Sequence, residues 1–393
     1  MKRGIRNIIG LMLLLLFISS SKFTNISYAA NQKPTVSAHA YTIIDSKTGQ
    51  VLDTYNGDKK IYPASTVKMM TALIAVENSS LSRKITVKQS DLSKVPKSAS
   101  QVGLKAGSTY TLEELLNMLL VSSAADAADT IAEAISGSTS KFIEQMNNKA
   151  KLLGMNNTKF DNTIGLDIGN KYYNTYSTSN DIAKLTNVVM KNTTIRNIVC
   201  KPSYTIKKFN NKGSKTINNT NRFLRGQWYP KDLYTIIGTK TGTTNAAGYA
   251  LSATAIDKNG REIICSFFGN ATRNKMYENI QALLTYTYKN QPIVNNAPSI
   301  NANDASIKIA MSFNPLSLAN ASDQEDGNLT NKIQIVENTV DLSKVGNYKI
   351  VYKVTDSQGK STTKEIKINV IGSCESIDTN GHVVESQLKD FAS

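Results

Sequence analysis

Histidine is nearly absent from this sequence: His39 and His382 are the two in 393 residues, one near each end. That excludes chemistry built on a clustered imidazole. A Ser-His-Asp hydrolase needs one beside its nucleophile. Zinc hydrolases use His clusters or an H-E-x-x-H helix, and no such motif occurs. Cysteine is equally scarce, with Cys200, Cys265 and Cys374 alone, so there is no disulfide framework of the kind that staples small exported domains. Cys265 lies inside the apolar run Ile263-Ile264-Cys265-Ser266-Phe267-Phe268 and reads as core. The acidic stretch Asp323-Gln324-Glu325-Asp326-Gly327 lacks the complete calcium-loop pattern and reads as a solvated turn. No metal, no cofactor and no nucleic-acid module is expected.

A long apolar run is missing too. Ile8 to Ile18 is about 11 residues, too short to span a bilayer comfortably. Lys2, Arg3 and Arg6 precede it, and Ser27-Tyr28-Ala29 follows with small residues at both ends. This is the pattern of a signal peptide over residues 1–29, cleaved after Ala29; an uncleaved anchor is the alternative. The expected location is therefore exported, extracellular or associated with a cell wall. The formal charge is +16, and removing the leader's four cations (Lys2, Arg3, Arg6, Lys22) leaves +12. That excess suits an anionic lipid or polymer surface, or solubility alone.

What the chain does contain is Ser65-Thr66-Val67-Lys68, with Lys240-Thr241-Gly242 much later. A serine three residues ahead of a lysine at a helix start puts a hydroxyl beside an amine on one face. That is a nucleophile and a base without histidine, and a Lys-Thr-Gly strand can close the other wall. Neither motif is specific alone. Ser-x-x-Lys also occurs at Ser138/Lys141, Ser357/Lys360, Ser361/Lys364 and Ser386/Lys389, and Lys-Thr-Gly at Lys47-Thr48-Gly49. Context chooses between them. Ser65 follows Tyr62-Pro63-Ala64 and precedes the apolar run Met69 to Val76, which reads as a buried helix. The other serine pairs lie in polar stretches, and Lys47-Thr48-Gly49 reads as a hairpin turn between two strands.

Residues 35–290 mix strands and helices. Helices are expected over Leu112 to Ser122, Ala124 to Ile135, Lys141 to Leu153, Ser179 to Lys191 and Lys275 to Lys289. Residues 291–299 read as a linker, with Asn295-Asn296-Ala297-Pro298 as breaker. Residues 300–371 carry short alternating runs divided by turn signals, the pattern of a β-sandwich. Residues 372–393 read as a disordered polar tail.

Residues 35 to 290 resemble the serine-type D-alanyl-D-alanine carboxypeptidases, the low-molecular-mass penicillin-binding proteins. Besides the two motifs, the resemblance rests on Leu153-Gly154-Met155-Asn156-Asn157-Thr158, Gly165-Leu166, Tyr176-Ser177-Thr178-Ser179-Asn180-Asp181, Asn219-Thr220-Asn221-Arg222-Phe223-Leu224 and Ala247-Gly248-Tyr249. The later segment resembles a bacterial immunoglobulin-like domain through Ala321 to Leu329, Val345-Gly346-Asn347-Tyr348 and Tyr352-Lys353-Val354-Thr355-Asp356. The fold implied is a mixed α/β domain, an antiparallel sheet flanked by helices, followed by an all-β immunoglobulin-like sandwich.

The resemblance implies roles. Ser65 is the nucleophile, Lys68 its base, with an amine pKa lowered by burial and by Lys240, and Ser123 a proton relay. Ser123 also reads as a helix N-cap. Lys240, Thr241 and Thr243 would meet the substrate carboxylate. Gly242 would leave room for substrate along the strand edge. The backbone N–H groups of Ser65 and Thr243 would form the oxyanion hole. Arg273 is a further carboxylate candidate. The implied reaction removes the terminal D-alanine from a peptidoglycan stem peptide through an acyl-enzyme, with penicillin and other β-lactams acylating the same serine and transpeptidation as the variant in which an amine replaces water. Anionic wall polymers are a further partner that the excess positive charge, and not the resemblance, would suit.

The sequence departs from the family at its middle Ser-x-Asn motif, where Ala125 follows Ser123-Ala124. Losing one hydrogen bond to a charged group costs about 1.5–3 kcal/mol, or roughly a ten- to hundredfold slower reaction. A wall-binding relative that has lost activity is the competing reading. A class A β-lactamase is another, and it also needs a glutamate to activate its deacylating water. Glu144, on a predicted helix 19 residues past Ala125, stands too close to the middle motif for that arrangement.

Overall fold

The computed structural model describes residues 32–167, 174–291 and 295–372, and the backbone of two short strands, Glu375–Ile377 and Val383–Glu385. The expected signal peptide, Cys374, His382 and the Ser386/Lys389 pair lie outside the described residues, as does most of the expected tail. The chain divides into two compact units, residues 1–292 and 293–393.

The first unit is organised by five antiparallel strands in the order β2-β1-β5-β4-β3: β1 (Ala40–Asp45), β2 (Val51–Tyr55), β3 (Thr235–Thr244), β4 (Gly248–Ile256) and β5 (Glu262–Asn270). Every residue of β1 is buried, because helices cover both faces of the sheet. Tyr41 and Ile43 share one apolar cluster with Phe267, Leu251, Met276 and Leu283, the last two from α7 (Arg273–Asn290). Thr42, on the opposite face, hydrogen-bonds Ser179 at the start of α5 (Ser179–Lys191). The period-two alternation of strand side chains thus assigns one helix to each face. Lys47-Thr48-Gly49 is the β1–β2 turn, with Gly49 at φ 75° and the Asp45 carboxylate accepting from the Lys47 amide at 3.0 Å.

Further helices pack beside the sheet: α1 (Lys68–Asn78), α2 (Leu112–Val121) and α3 (Ala125–Ser136) are buried along most of their length, while α4 (Thr139–Leu152) and the short α6 (Thr193–Val199) bury one face each. A capping box starts α2, with the Glu114 amide donating to Thr111 Oγ1 at 3.2 Å and the Thr111 amide to Glu114 Oε2 at 2.9 Å. Gly137, at φ 74°, ends α3. Ser138 caps α4 by accepting from the Lys141 amide at 3.2 Å, so this Ser-x-x-Lys pair is a helix start.

The second unit is a sandwich of two sheets. One has the order β6-β8-β9: β6 (Ser299–Ala302), β8 (Ala319–Asp323) and β9 (Gly327–Asn328). The other has the order β7-β12-β11-β10: β7 (Ala305–Lys308), β10 (Gln334–Asn338), β11 (Gly346–Thr355) and β12 (Ser361–Ile371). Alternate residues Ile350, Tyr352 and Val354 of β11 and Ile366, Ile368 and Val370 of β12 fill its core. Asn295 and Asn296, expected in the linker, are instead bonded into this unit. Asn295 Nδ2 donates to Asp356 at 2.9 Å and the Asn296 amide to Glu325 at 3.1 Å. In the expected tail, Glu375–Ile377 pairs with Val383–Glu385, a hairpin too short to give a periodic signal in the sequence.

Candidate active site

The site forms where the N-terminus of α1 meets the edge strand β3. Ser65 lies on a 3-10 turn, Ala64–Val67, one turn ahead of the α-helix expected to contain it. Ala64, just before it, has φ 48°, a left-handed conformation that costs a residue with a Cβ about 1–3 kcal/mol. Two glycines hold this turn in place. A Cβ on Gly165, itself at φ 78°, would sit 1.8 Å from the Ala64 carbonyl oxygen. A Cβ on Gly242 would meet Ala64 Cβ at 3.0 Å, the Pro63 carbonyl oxygen at 3.1 Å and the Ser65 amide nitrogen at 3.3 Å. The space that Gly242 leaves open is therefore filled by the serine's own turn. Its bare backbone brings β3 against the Ser65 amide, a second demand for glycine at this position beside the expected room for substrate along the strand edge.

Lys68 Nζ donates to Ser65 Oγ at 3.0 Å and to the Ile164 carbonyl at 3.1 Å. The residue is 2% exposed. Burial pushes its ammonium down to about 7, opposed by the negative charges of Asp129 and then Asp126. Lys240 is 1% exposed and donates to the Thr241 carbonyl at 3.0 Å. Burial first, and the charge of Lys68 second, hold it well below the ordinary lysine value. A buried amine near neutrality beside a serine hydroxyl is a competent proton acceptor for it.

Ser65, Ser123, Thr241, Gly242 and Thr243 line one cleft of about 260 Å³. Lys68 and Lys240 lie buried behind that lining. Ser123 is 5% exposed at φ 63° and makes no hydrogen bond among the described residues. It does not cap α3: the capping position is Ala124, without a side-chain bond. The Ala125 side chain is fully buried, and its amide donates to the Ser100 carbonyl at 2.7 Å. Thr241 Oγ1 donates to Thr220 Oγ1 at 2.6 Å, and Thr243 Oγ1 to the Gly242 carbonyl at 2.7 Å.

Arg273 also lines the cleft, its guanidinium 5.4 Å from the centre of the Tyr249 ring. Sequence reasoning missed the other cations there, Arg222 and Arg225. Both lie in or beside Asn219 to Leu224, a stretch that carried the resemblance but no assigned role. Asp126 was missed as well. Its carboxylate accepts from the amides of Val102, Gly103 and Leu104 at 3.2, 2.8 and 2.9 Å, tying the neighbouring loop to α3. Glu133, also after the middle motif, was passed over. It bonds Lys94 at 2.5 Å and the Thr139 amide at 2.8 Å. Neither Glu133 nor Glu144 lines the cleft. Among the described residues, no group of three or more His, Cys, Asp or Glu side chains is placed to hold a metal.

The family profile for D-alanyl-D-alanine carboxypeptidases matches residues 27–272, and that for a bacterial surface protein Ig-like domain matches residues 301–370. The D-alanyl-D-alanine carboxypeptidase DacF of Bacillus subtilis (strain 168) is 30% identical over 286 residues, covering 72% of this chain and 69% of that protein. The D-alanyl-D-alanine carboxypeptidase of Streptomyces sp. (strain K15) is 34% identical over 246 residues, covering 59% of this chain and 80% of that protein. Among solved structures, the Streptomyces K15 DD-transpeptidase superposes with TM-score 0.59 and 31% identity, covering 66% of this chain and 99% of its own. The D-alanyl-D-alanine carboxypeptidase of Mycobacterium tuberculosis H37Rv superposes with TM-score 0.59 and 27% identity, covering 67% of this chain and 95% of its own. A histidine-free serine–lysine cleft, on a sheet and helices that superpose on these enzymes, agrees with what the profile match establishes: the chain belongs to the D-alanyl-D-alanine carboxypeptidase family of hydrolases and carries a C-terminal immunoglobulin-like domain.

Proposed function

We propose that this chain is an exported, penicillin-sensitive serine D,D-carboxypeptidase acting on peptidoglycan stem peptides that end in D-Ala-D-Ala. The observation that carries the reading is the 3.0 Å contact between Lys68 Nζ and Ser65 Oγ at the floor of the cleft. Ser65 Oγ attacks the carbonyl carbon of the penultimate D-alanine as its proton passes to the Lys68 amine. The Ser65 and Thr243 amides take the developing oxyanion, where each donor contributes about 10²–10³ in rate. The proton then moves through Ser123 to the leaving nitrogen. The C–N bond breaks, and terminal D-alanine departs. Water adds to the ester, its proton returns by Lys68, and Ser65 is freed. Lys240, Thr241 and Thr243 hold the substrate carboxylate, with Arg273 beside them.

Hydrolysis is preferred over transfer to an amine on the family description. Transpeptidation is the second reading, and the name of the K15 structure favours keeping it. A β-lactamase is disfavoured because, among the described residues, no glutamate lines the cleft to activate a deacylating water. Export is supported by the leader-like pattern of residues 1–29, and a loose association with anionic wall polymers by the net positive charge. Recovery of the protein in washed membranes would contradict this placement.

The test is intact mass of the purified chain over time with excess penicillin, beside Ser65→Ala. A long-lived adduct that the variant lacks supports the reading. Rapid adduct loss with drug consumption replaces it with a β-lactamase, and no adduct at any time replaces it with a wall-binding relative.

A further inference from the structure

We propose that Asp129 is the positioning residue for the Lys68 amine: from one turn along α3 beyond Ala125, it fixes the backbone carbonyl that holds the amine and sets a buried negative charge behind it. The inference rests on the acyl-enzyme reading above.

Among the described residues, Lys68 Nζ has two hydrogen-bond partners, Ser65 Oγ and the Ile164 carbonyl. Once Ser65 Oγ is esterified, the Ile164 carbonyl is the partner that keeps the amine in place for the second half of the reaction. That carbonyl belongs to a short non-helical segment, 162–165, and side chains pin it from three directions. Asn162 Oδ1 accepts from the Ile164 and Gly165 amides at 3.1 and 2.6 Å. Thr71, one turn after Lys68 on α1, donates to the Thr163 carbonyl at 2.7 Å. Thr163 Oγ1 donates to Asp129 Oδ1 at 2.5 Å. Asp129 is the one carboxylate bonded to this segment among the described residues, and it links the segment to α3.

The spacing connects Asp129 to the gap at Ala125. Residues four apart share a helix face, so the helix that presents no polar side chain at Ala125 presents a carboxylate on the same face at Asp129. Asp126, between them, is engaged with the amides of Val102, Gly103 and Leu104. Asp129 is 6% exposed and lines a second cavity, of about 540 Å³, together with Lys94, Glu133, Asp161 and Ile164 but neither Ser65 nor Ser123. It therefore acts through Lys68 and does not meet substrate.

The charged groups around the pair are few. Lys68 has Asp126 and Asp129 on α3 and Lys240 on β3. Asp129 has Lys68, Lys94 and Glu133, the last two paired with each other at 2.5 Å, and Asp161 along the same cavity. Of the charges that raise Lys68 against the effect of burial, Asp129 is the larger.

The experiment measures the penicillin acylation rate from about pH 5 to pH 9 by intact mass for the full chain, Asp129→Asn, Asp129→Ala and Thr163→Val, with thermal melting of each. Asp129→Asn keeps an acceptor for Thr163 and loses the charge. Its rising acid limb is expected to move to lower pH by about one unit, the scale of one nearby opposite charge, with the plateau retained. Thr163→Val keeps the charge and loses the link, so its plateau falls about tenfold, the effect of one modest hydrogen bond, with the limb in place. Asp129→Ala shows both changes, and the asparagine restores its plateau. An unmoved limb in Asp129→Asn overturns the inference, as does a rate loss that only follows the melting temperature. Should the alanine variant not fold, the other two decide. A wild-type chain that is never acylated overturns the parent reading instead.

Discussion

Replacing Lys68 by methionine should make the protein more stable at neutral and acid pH while abolishing acylation. Lowering the Lys68 ammonium from 10.5 to about 7 means that the folded chain carries that proton at a cost of about 5 kcal/mol below pH 7. The sign follows from proton counts. Between pH 7 and 10.5 the unfolded lysine holds its proton and the folded one does not, so stability rises with pH across that window. Lys68→Met removes the whole penalty at pH 6 and gains nothing near pH 10.5. Against it stand the Ile164 carbonyl, left without its donor at about 1–3 kcal/mol, and the loss of a cation near Asp129. Relief of Lys240, held down partly by the charge of Lys68, works in the same direction as the gain. The net expectation is about 2–4 kcal/mol of stabilisation at pH 6, or roughly 5–15 °C in melting temperature, fading to none or a small loss by about pH 10. Circular dichroism melts of the wild type, Lys68→Met and Ser65→Ala across pH provide the assay. A variant less stable than wild type at pH 6, or a difference that does not change with pH, would refute the reasoning.

Three further outcomes are expected. Wild-type acylation by penicillin should rise about tenfold per pH unit below 7 and level off above it, because only the neutral Lys68 amine accepts the serine proton; stopped-flow or timed mass measurements across pH check this, and a flat profile contradicts it. Gly242→Ala should push β3 away from the Ser65 turn by a few tenths of an ångström, lowering acylation by roughly 10²-fold while costing about 1–3 kcal/mol in denaturant unfolding; an unchanged rate contradicts the close approach as the reason for that glycine. A chain ending at Gln291 should acylate within about twofold of the full protein, since every site residue belongs to the first unit, with its own apolar clusters; this is a single rate comparison.

Most of the architecture was legible because local patterns agree with their surroundings. Thr111 with Glu114, Gly137 and the alternation in β11 and β12 each mark an element where the structure has one. The choice among several Ser-x-x-Lys pairs was legible for the same reason: Ser65 precedes a run that the core absorbs, while Ser138 is itself a helix cap. Within the site, what was not legible is mostly how recognised residues face. Gly242 was recognised, but its open side is turned to Pro63 and Ala64, more than 170 residues earlier in the chain. Ser123 was recognised, but its left-handed backbone takes it off the helix it was expected to cap. Arg222 and Arg225 reach the cleft through a turn whose route depends on contacts with α7, where the Arg222 amide meets the Tyr277 hydroxyl at 2.8 Å.

Ala125 shows the same limit most sharply. Read along the chain, it is a subtraction: one amide gone, and a slower enzyme. A subtraction of that kind assumes that the lysine's remaining partners are the family's own. In the folded protein the amine already has two partners, and one of them is a carbonyl braced by Thr163 and Asp129, 34 residues apart in sequence. Neither residue forms a motif with Lys68, and no local pattern links them. The cost of a missing side chain is set by what the rest of the fold places around the gap. The rate of this site is therefore better judged from the three-dimensional neighbours of Lys68 than from the letter at position 125.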